Sequence, residues 1–469
     1  MIDHILQWVI GLWAVITALY GFRGVYAAIG LLTTRRFPKT DRLYKYAVLV
    51  AARNEEKVIG KLMESIRQQD YPQERIDIFV VADNCTDATA AVATQHGAIC
   101  YERRDEVHRT KGYALQFLVE RIRRDFGIEH YDGYFLFDAD NLLRQDYVSR
   151  MNEAFAAGEK IVTSYRNTKN FHENWISASY GLHWLRTVRM EHRARSVLRL
   201  ATRIQGTGLL FSHELLSNGW NYVSLTEDRA FCADAVAQGY QISFQNAAVF
   251  YDEQPTSFKI AMRQRIRWAK GHLQAFVETG PTLFAHIFFT GGVANKQPAQ
   301  KKASAARKAL RNLRLRFMSF DMLTVVFPRS FASLVYRWVC FLLRVILAVG
   351  GTVFGLETAP KLVSALCAMA GVSPAGSGGR GVLLLLCFLL GGMVSRYFSN
   401  VLMAVYIFLA ERKRIPGAVW YRKLWFCLMF PLFDFMGRIA TCIALFIKVD
   451  WKPIPHEAAI GIDQMDKIP

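Results

Sequence analysis

The sequence has no closely spaced cysteine pair. Its eight cysteines, Cys85, Cys100, Cys232, Cys340, Cys367, Cys387, Cys427 and Cys442, stand singly. With no CxxC and no Cys/His ligand spacing, a zinc module and a disulfide framework are excluded, and the pattern suits a reducing, cytoplasmic face. Zinc-finger spacing, RNP-type aromatic motifs and basic repeats are missing too, which argues against a nucleic-acid partner. No internal repeat is visible. A cleavable leader is disfavoured: no Lys or Arg precedes the first apolar block, which outruns the ~7–15-residue core of a signal peptide. Acidic residues are scarce relative to basic ones, 39 against 58, for a net charge of +19.

What is present is uneven. The 469 residues exceed one ordinary domain, and 52% hydrophobic with 13% aromatic content excludes a largely disordered chain. Residues 40–280 alternate apolar and charged stretches, whereas residues 1–33 and 317–447 are long apolar blocks. The basic residues collect beside those blocks, at Arg35, Arg36 and Lys39, at Lys301 to Arg316, at Arg412 to Arg414, and at Arg422 and Lys423. Lys and Arg gather on the cytoplasmic side of membrane spans and meet anionic lipid there. The expected layout is an N-terminal span with its basic flank (1–40), a cytoplasmic domain (41–280), a basic interfacial segment (281–330), C-terminal membrane helices (331–447) and a cytoplasmic tail (448–469). The block from Ile5 to Leu32 reads as one span with its N-terminus outside. Residues 331–355 and 381–410 are each long enough to cross, despite Arg337, Arg344 and Arg396, with a Gly/Ser/Pro-rich loop over 372–380. The block 424–447 contains Pro431, Asp434 and Arg438 and has basic residues at both ends, which predicts a re-entrant or interfacial element. The run Lys301–Arg316 predicts a lipid-facing surface helix.

Between residues 45 and 160, strand-like and helical runs alternate. Tyr46-Ala-Val-Leu-Val-Ala51, Ile76-Asp-Ile-Phe-Val-Val-Ala82 and Tyr134-Phe-Leu-Phe137 read as buried strands, and Glu55 to Gln69 has helical periodicity. This alternation predicts a parallel sheet covered on both faces, whose ligands bind beyond the carboxyl ends of its strands. Asn54 and Glu55 follow the first strand. Asp83-Asn-Cys-Thr-Asp87 follows the second, with acceptor groups suited to a nucleobase and ribose. Asp138-Ala-Asp140 follows the third, and two carboxylates so spaced can hold one hard divalent cation that grips phosphates. Alone, Asp-x-Asp more often describes a solvated turn than a metal site; here three strand ends present acidic or amide groups to one cleft. Farther on stand Leu225-Thr-Glu-Asp228 and Gln264-Arg-Ile-Arg-Trp268.

In their order, Asp83, Asp138-Ala-Asp140, Thr226-Glu-Asp228 and Gln264-Arg-Ile-Arg-Trp268 resemble the motif series of the family 2 inverting glycosyltransferases. Within that family the pattern is similar to the membrane-integrated branch of cellulose, hyaluronan and poly-N-acetylglucosamine synthases. The resemblance covers residues 45–275 and the flanking membrane layout. It implies a GT-A-type α/β nucleotide-sugar-binding domain inserted between N- and C-terminal transmembrane or interfacial helices. It further implies a UDP-sugar donor, Mg2+ or Mn2+, a growing glycan or lipid acceptor, contact with membrane lipids, and a multi-pass place in a bacterial plasma membrane. Carried over residue by residue, Asp83 and Glu55 would hold the uracil, and Lys111 would meet the pyrophosphate unless it is a surface lysine at a helix start. Asp138 would contact the ribose or sugar, and Asp140 would hold the metal. Asp228 would be the general base, with Glu227 beside it in a secondary acceptor role. Gln264, Arg265 and Arg267 would bind the diphosphate, and Trp268 would stack on the acceptor, with Gly206 and Thr207 near it. His183 and His272 read as structural.

The pattern also departs from the branch: the FxVTxK gating segment and a cyclic-di-GMP-binding domain are absent. Val449-Asp-Trp-Lys-Pro-Ile-Pro-His456 resembles a Trp-containing segment that other members fold over the nucleotide, with Trp451 and His456 as its working residues. A Trp-Lys interfacial anchor reads equally well there. The leading functional expectation is a processive β-glycan synthase. The alternatives are single-sugar transfer to a lipid and an inactive membrane scaffold, the last opposed by the intact acidic set.

Overall fold

Between residues 46 and 252, apolar runs form eight strands in one sheet. They are β1 Tyr46–Ala52, β2 Ile76–Asp83, β3 Ile99–Arg103, β4 Gly133–Asp138, β5 Leu142–Leu143, β6 Ile161–Thr168, β7 Leu209–Ser212 and β8 Ser243–Asp252. The computed structural model describes residues 2–289, 305–353, 378–415, 419–449, 453–454, 456 and 460–465. The strand order is β3-β2-β1-β4-β7-β6-β8-β5. Strands β1 to β4 are parallel, as the strand–helix alternation predicts. Beyond β4 the expectation of an all-parallel sheet fails: β7 runs antiparallel to β4 and β6, and β5 antiparallel to β8. The connection from β6 to β7 contains the helix Trp175–Thr187. That helix packs between Tyr165, Phe244 and Val249 of the sheet and Phe426, Phe430 and Phe433 of the C-terminal region, and an antiparallel neighbour needs no crossover.

Side chains alternate between the two faces of β1 as a pleated strand requires. Leu49 joins Phe79, Leu115 and Leu118 in one core, whereas Val48 and Val50 join Leu62, Phe135 and Phe137 in the other. The register pairs Ala52 with Ala82 and Ala51 with Asp138. The carboxyl ends of β1, β2 and β4 therefore emerge at one edge, which places Glu55, Asp83, Asp138 and Asp140 together.

The N-terminal apolar block is not one straight helix. It forms Ile2–Ala18 and Arg23–Leu32, separated by a turn in which Gly21 N donates to Ala18 O at 2.8 Å. The second helix lies on the α/β domain so closely that a Cβ at Gly30 would sit 2.0 Å from Arg189 O. The helix Ala305–Val326 is fixed by Asp321, which is buried and receives Arg195 Nε at 2.8 Å, Arg195 Nη2 at 3.0 Å and Tyr26 OH at 3.0 Å. The buried face of this helix carries Met318 and Met322, and Leu310 and Leu313 point outward; residues 301–304 of the basic run lie outside the described residues.

Three helical stretches among the described residues are long and apolar enough to cross a membrane: 4–32, 393–410 and 420–446. Helices also run over Arg329–Val353 and Gly378–Ala410. Gly378 to Arg380 are therefore helical rather than loop, and 354–377 lie outside the described residues. The last apolar block is one unbroken helix, Trp420–Phe446, through Pro431. Both of its ends touch the α/β domain or the helix that follows it: Arg422 Nη2 donates to His172 O at 2.7 Å, and Lys270 Nζ to Ala444 O at 3.1 Å. Several basic residues expected to face lipid instead tie helices to the domain. Arg35 pairs with Glu159 at 2.5 Å, and the Arg414 guanidinium lies 3.9 Å over the Tyr165 ring. Beside Arg414, Glu411 is buried and receives Tyr165 OH at 2.9 Å. A helix Phe258–Phe288 runs straight through residue 280, where a domain boundary was expected.

Candidate active site

A cavity of about 1220 Å3 opens between the strand ends and the long helices. Its lining includes Glu55, Asp83, Lys111, Asp138, Asp140, Gly206, Glu227, Asp228, Gln264, Arg265, Arg267, Trp268 and His456. The four separated motifs thus meet around one space. Two expected site residues are not among those lining it. Thr207 is buried behind the wall, where its hydroxyl accepts from Asp138 N at 3.0 Å and donates to Asn141 Oδ1; it shapes the strand end and does not face the cavity. Trp451 lies outside the described residues.

Lys111 opens the helix Lys111–Asp125, but it is no surface lysine. Its Nζ pairs with Asp138, donates to Gly206 O at 3.0 Å and lies 3.8 Å from Glu227 Oε1. Burial alone would lower its pKa, yet Asp138 and Glu227 outweigh burial and raise it, so the ammonium stays charged. Asp83 is held by Arg103, whose Nη1 reaches Asp83 Oδ1 at 2.6 Å. Burial pushes the Asp83 carboxyl up against that pairing. Glu55 receives His456 Nδ1 at 3.0 Å from each oxygen, so the C-terminal tail returns to the first strand end. Farther along the tail, Ile462 and Met465 pack against Leu142.

Asp140 Oδ2 accepts from Glu253 N at 2.8 Å and Oδ1 from Asn141 Nδ2 at 3.2 Å. On the neighbouring strand β8, Asp252 also lines the cavity. Its Oδ2 is taken by Arg166 Nε at 2.8 Å and Gln254 Nε2 at 2.5 Å, while its Oδ1 is buried without a hydrogen-bond partner. Burial pushes the Asp252 carboxyl up to about 6, opposed by Arg166 and reinforced by Asp140. Among the described residues no three His, Cys, Asp or Glu side chains form a ready metal cage. Two carboxylates with one orphaned oxygen fit a cation that takes the rest of its shell from phosphate and water, the usual mode for Mg2+.

Thr226 directly precedes a helix, Glu227–Ala237, that opens with Glu227 and Asp228. Both acids line the cavity. Burial raises both carboxyls, Glu227 to about 7, with Lys111 opposing and the adjacent Asp228 adding to the rise. The Gln264–Trp268 segment lies on the helix Phe258–Phe288, pressed against this turn: a Cβ at Gly271 would lie 2.5 Å from Thr226 Cγ2. Trp268 packs at 83° to Tyr180 and 66° to Trp184, with centroids at 5.9 and 5.7 Å. Arg265 turns to the C-terminal helices, its guanidinium 3.4 Å over the Phe433 ring, and so departs from the diphosphate role expected of it. His183 and His272 both line the cavity, and burial holds both well below the ordinary histidine pKa, hence neutral.

Sequence reading missed Arg103, Arg166 and Asp252. The rule that found the other acids, a carboxylate closing an apolar strand, also fits Asp252 after Ala247-Ala-Val-Phe-Tyr251.

The mixed sheet with its flanking helices is a GT-A-like domain. Residues 44–271 match the model of the family described as "Glycosyltransferase like family 2", and this part of the chain is a glycosyltransferase family 2 domain. Among curated relatives, the chain is 25% identical over 260 residues to "Probable glycosyltransferase YdaM" of Bacillus subtilis, covering 51% of this chain and 58% of that protein. It is 25% identical over 241 residues to "Beta-monoglucosyldiacylglycerol synthase" of Synechocystis, covering 49% of this chain and 48% of that one. The match therefore spans about half the length of these relatives. A solved mannosyltransferase of Pyrobaculum calidifontis, in complex with GDP-Man and Mn2+, superposes with a TM-score of 0.48 at 18% identity, covering 80% of this chain and 93% of that one.

Proposed function

We propose that this domain transfers a sugar from a UDP-sugar, with inversion, onto a lipid acceptor at a membrane surface. The observation that carries the reading is the single cavity lined both by the strand-end carboxylates and by the apolar helices, so that a soluble donor and a lipid acceptor can meet. The UDP would lie over the ends of β1, β2 and β4, with Asp83 and Glu55 at the base and Lys111, Gln264 and Arg267 towards the diphosphate. A wall rich in carboxylates repels a diphosphate unless a cation lies between them. Asp140, with the free oxygen of Asp252, would hold Mg2+ or Mn2+, which offsets charge on the leaving diphosphate. Asp228 takes the proton of the acceptor hydroxyl as its oxygen attacks the anomeric carbon in line. Glu227 keeps Lys111 beside Asp138, and Trp268 forms the wall against which the acceptor rests.

The helices supporting this cavity make a membrane location the natural setting, with the α/β domain on the cytoplasmic side. The helix Trp420–Phe446, which touches the α/β domain and its following helix at its two ends, fits an element lying along the interface. Processive synthesis is the second reading, favoured by the same continuity of the cavity into the helices, which offers a growing glycan a path. Product size separates the two: a single labelled lipid against a ladder or high polymer. The founding test is UDP release by the purified chain with a panel of UDP-sugars and Mg2+ or Mn2+ in lipid vesicles. Turnover with at least one donor is expected, and silence with all of them in the presence of both metals refutes the reading.

A further inference from the structure

The cavity continues beneath the helices, where residues 324–329, 395–400 and 430–441 contribute to its walls. Here basic groups outnumber acidic ones. Arg329, Arg337, Arg396 and Arg438 of these helices line it, joined by Arg186 and Arg265 from the facing helices Trp175–Thr187 and Phe258–Phe288, while Asp434 is the one carboxylate in the lining that the C-terminal helices supply. Asp434 is already engaged by Arg438, Nη2 to Oδ2 at 2.9 Å. Three other guanidinium groups rest on aromatic rings: Arg265 on Phe433 at 3.4 Å, Arg329 on Tyr20 at 4.3 Å and Arg186 on Phe430 at 5.7 Å. The Nε of Arg265 is buried without any hydrogen-bond partner. Among the described residues no ion pair joins Arg337 or Arg396 to a carboxylate.

Six guanidinium groups facing one carboxylate repel one another, with Arg186, Arg265 and Arg438 partly withdrawn from water and Arg329, Arg337 and Arg396 exposed, and an anion bound among them offsets that repulsion. A guanidinium fork matches phosphate oxygens in pairs. Phe331, Phe430, Phe433 and Trp13 share the same walls, so the ligand has an apolar part beside its charge. The outer faces of these helices are apolar as well, with Trp338, Phe398 and Leu402 exposed.

Resting on the transferase reading above, we propose that the acceptor is a phospholipid. Its headgroup phosphate lies against Arg337, Arg396 and Arg438, and a headgroup hydroxyl turns to Asp228. In the transfer that hydroxyl gives its proton to the Asp228 carboxylate and its oxygen bonds the anomeric carbon. The bond from that carbon to the diphosphate oxygen breaks, and UDP leaves with the electron pair. A neutral acceptor such as diacylglycerol would leave the arginines without a counter-ion.

The test uses the full chain in phosphatidylcholine vesicles carrying phosphatidylglycerol or diacylglycerol, with a radiolabelled UDP-sugar that supports UDP release. Label is expected in phosphatidylglycerol at least about tenfold above diacylglycerol, and Arg337→Gln and Arg396→Gln should each lose about tenfold of it. UDP titration of both variants reports that they are folded. Equal or greater labelling of diacylglycerol overturns the proposal, as does unchanged labelling in both variants. Glycerol 3-phosphate labelled as well as phosphatidylglycerol would overturn the lipid part. Failure of the chain to bind or release UDP with any acceptor sinks the transferase reading itself, and this proposal with it.

Discussion

The wall that the α/β domain gives to the cavity balances carboxylates against basic side chains, whereas the wall that the C-terminal helices give it is mainly basic. On the first, carboxylates stand at strand ends, most with an assigned partner: Asp83 with Arg103, Asp138 with Lys111, Glu55 with His456. On the second, arginines outnumber carboxylates and three of the six rest on rings. The paired wall is organised without a ligand, whereas the proposed phospholipid would bring the counter-ion to the arginine wall. On the proposed reading, one end takes the donor and the other a molecule that brings its own negative charge.

The largest effect that would break this comparison lies at the junction of the two walls. Asp228→Asn should cut turnover by about 10²–10⁴-fold while UDP binding by calorimetry is retained. Near-normal turnover would remove Asp228 from the reaction. Next, Arg195→Met strips the buried Asp321 of its bidentate partner and should destabilise the seating of the Ala305–Val326 helix by about 3–5 kcal/mol. The measurement is the melting temperature of the purified protein, and an unchanged value would show that this pair does not hold the helix. Smaller again, Gly271→Val presses a side chain into Thr226 and should cost about 1–3 kcal/mol, together with a loss of turnover, by the same assay.

The smallest effect concerns pH. Glu227 and Asp228 are both raised, Glu227 to about 7, so the base is lost by protonation as pH falls. Lys111, Arg229 and Arg267 face the pair and oppose the rise. The kcat/KM profile should therefore fall on its acid side, with a limb above the ordinary carboxylate range. Glu227→Gln removes the adjacent like charge and should move that limb to lower pH; a limb that moves upward, or stays, would contradict the coupling of the two acids.

Much of the first wall was legible in the sequence because β1, β2 and β4 are parallel and in register, so a carboxylate after an apolar strand has only one edge to occupy. The partner of Asp83 was not. Arg103 reaches it only through the β2–β3 register that sets the two side by side, twenty residues apart in the chain. The short β7, only four residues long and directly following Gly208, gave no pattern strong enough to announce an antiparallel strand. Composition also misassigned Arg35 and Arg414: it registers a basic cluster beside an apolar block, but not that Glu159 and the Tyr165 ring are waiting for those side chains. Arg337, Arg396 and Arg438 were each visible as charges inside apolar blocks. Their convergence was not, since it arises from the packing of three helices far apart in the chain.

The claim on which the rest depends is that separate strand ends serve one nucleotide. Calorimetric titration of UDP in the presence of Mn2+ against Asp83→Ala, Lys111→Gln and Asp140→Asn addresses it directly. Each variant should bind UDP at least about tenfold more weakly than the parent, a loss of about 1.4 kcal/mol. Parent-like affinity in two of the three folded variants would mean that these side chains do not share a ligand.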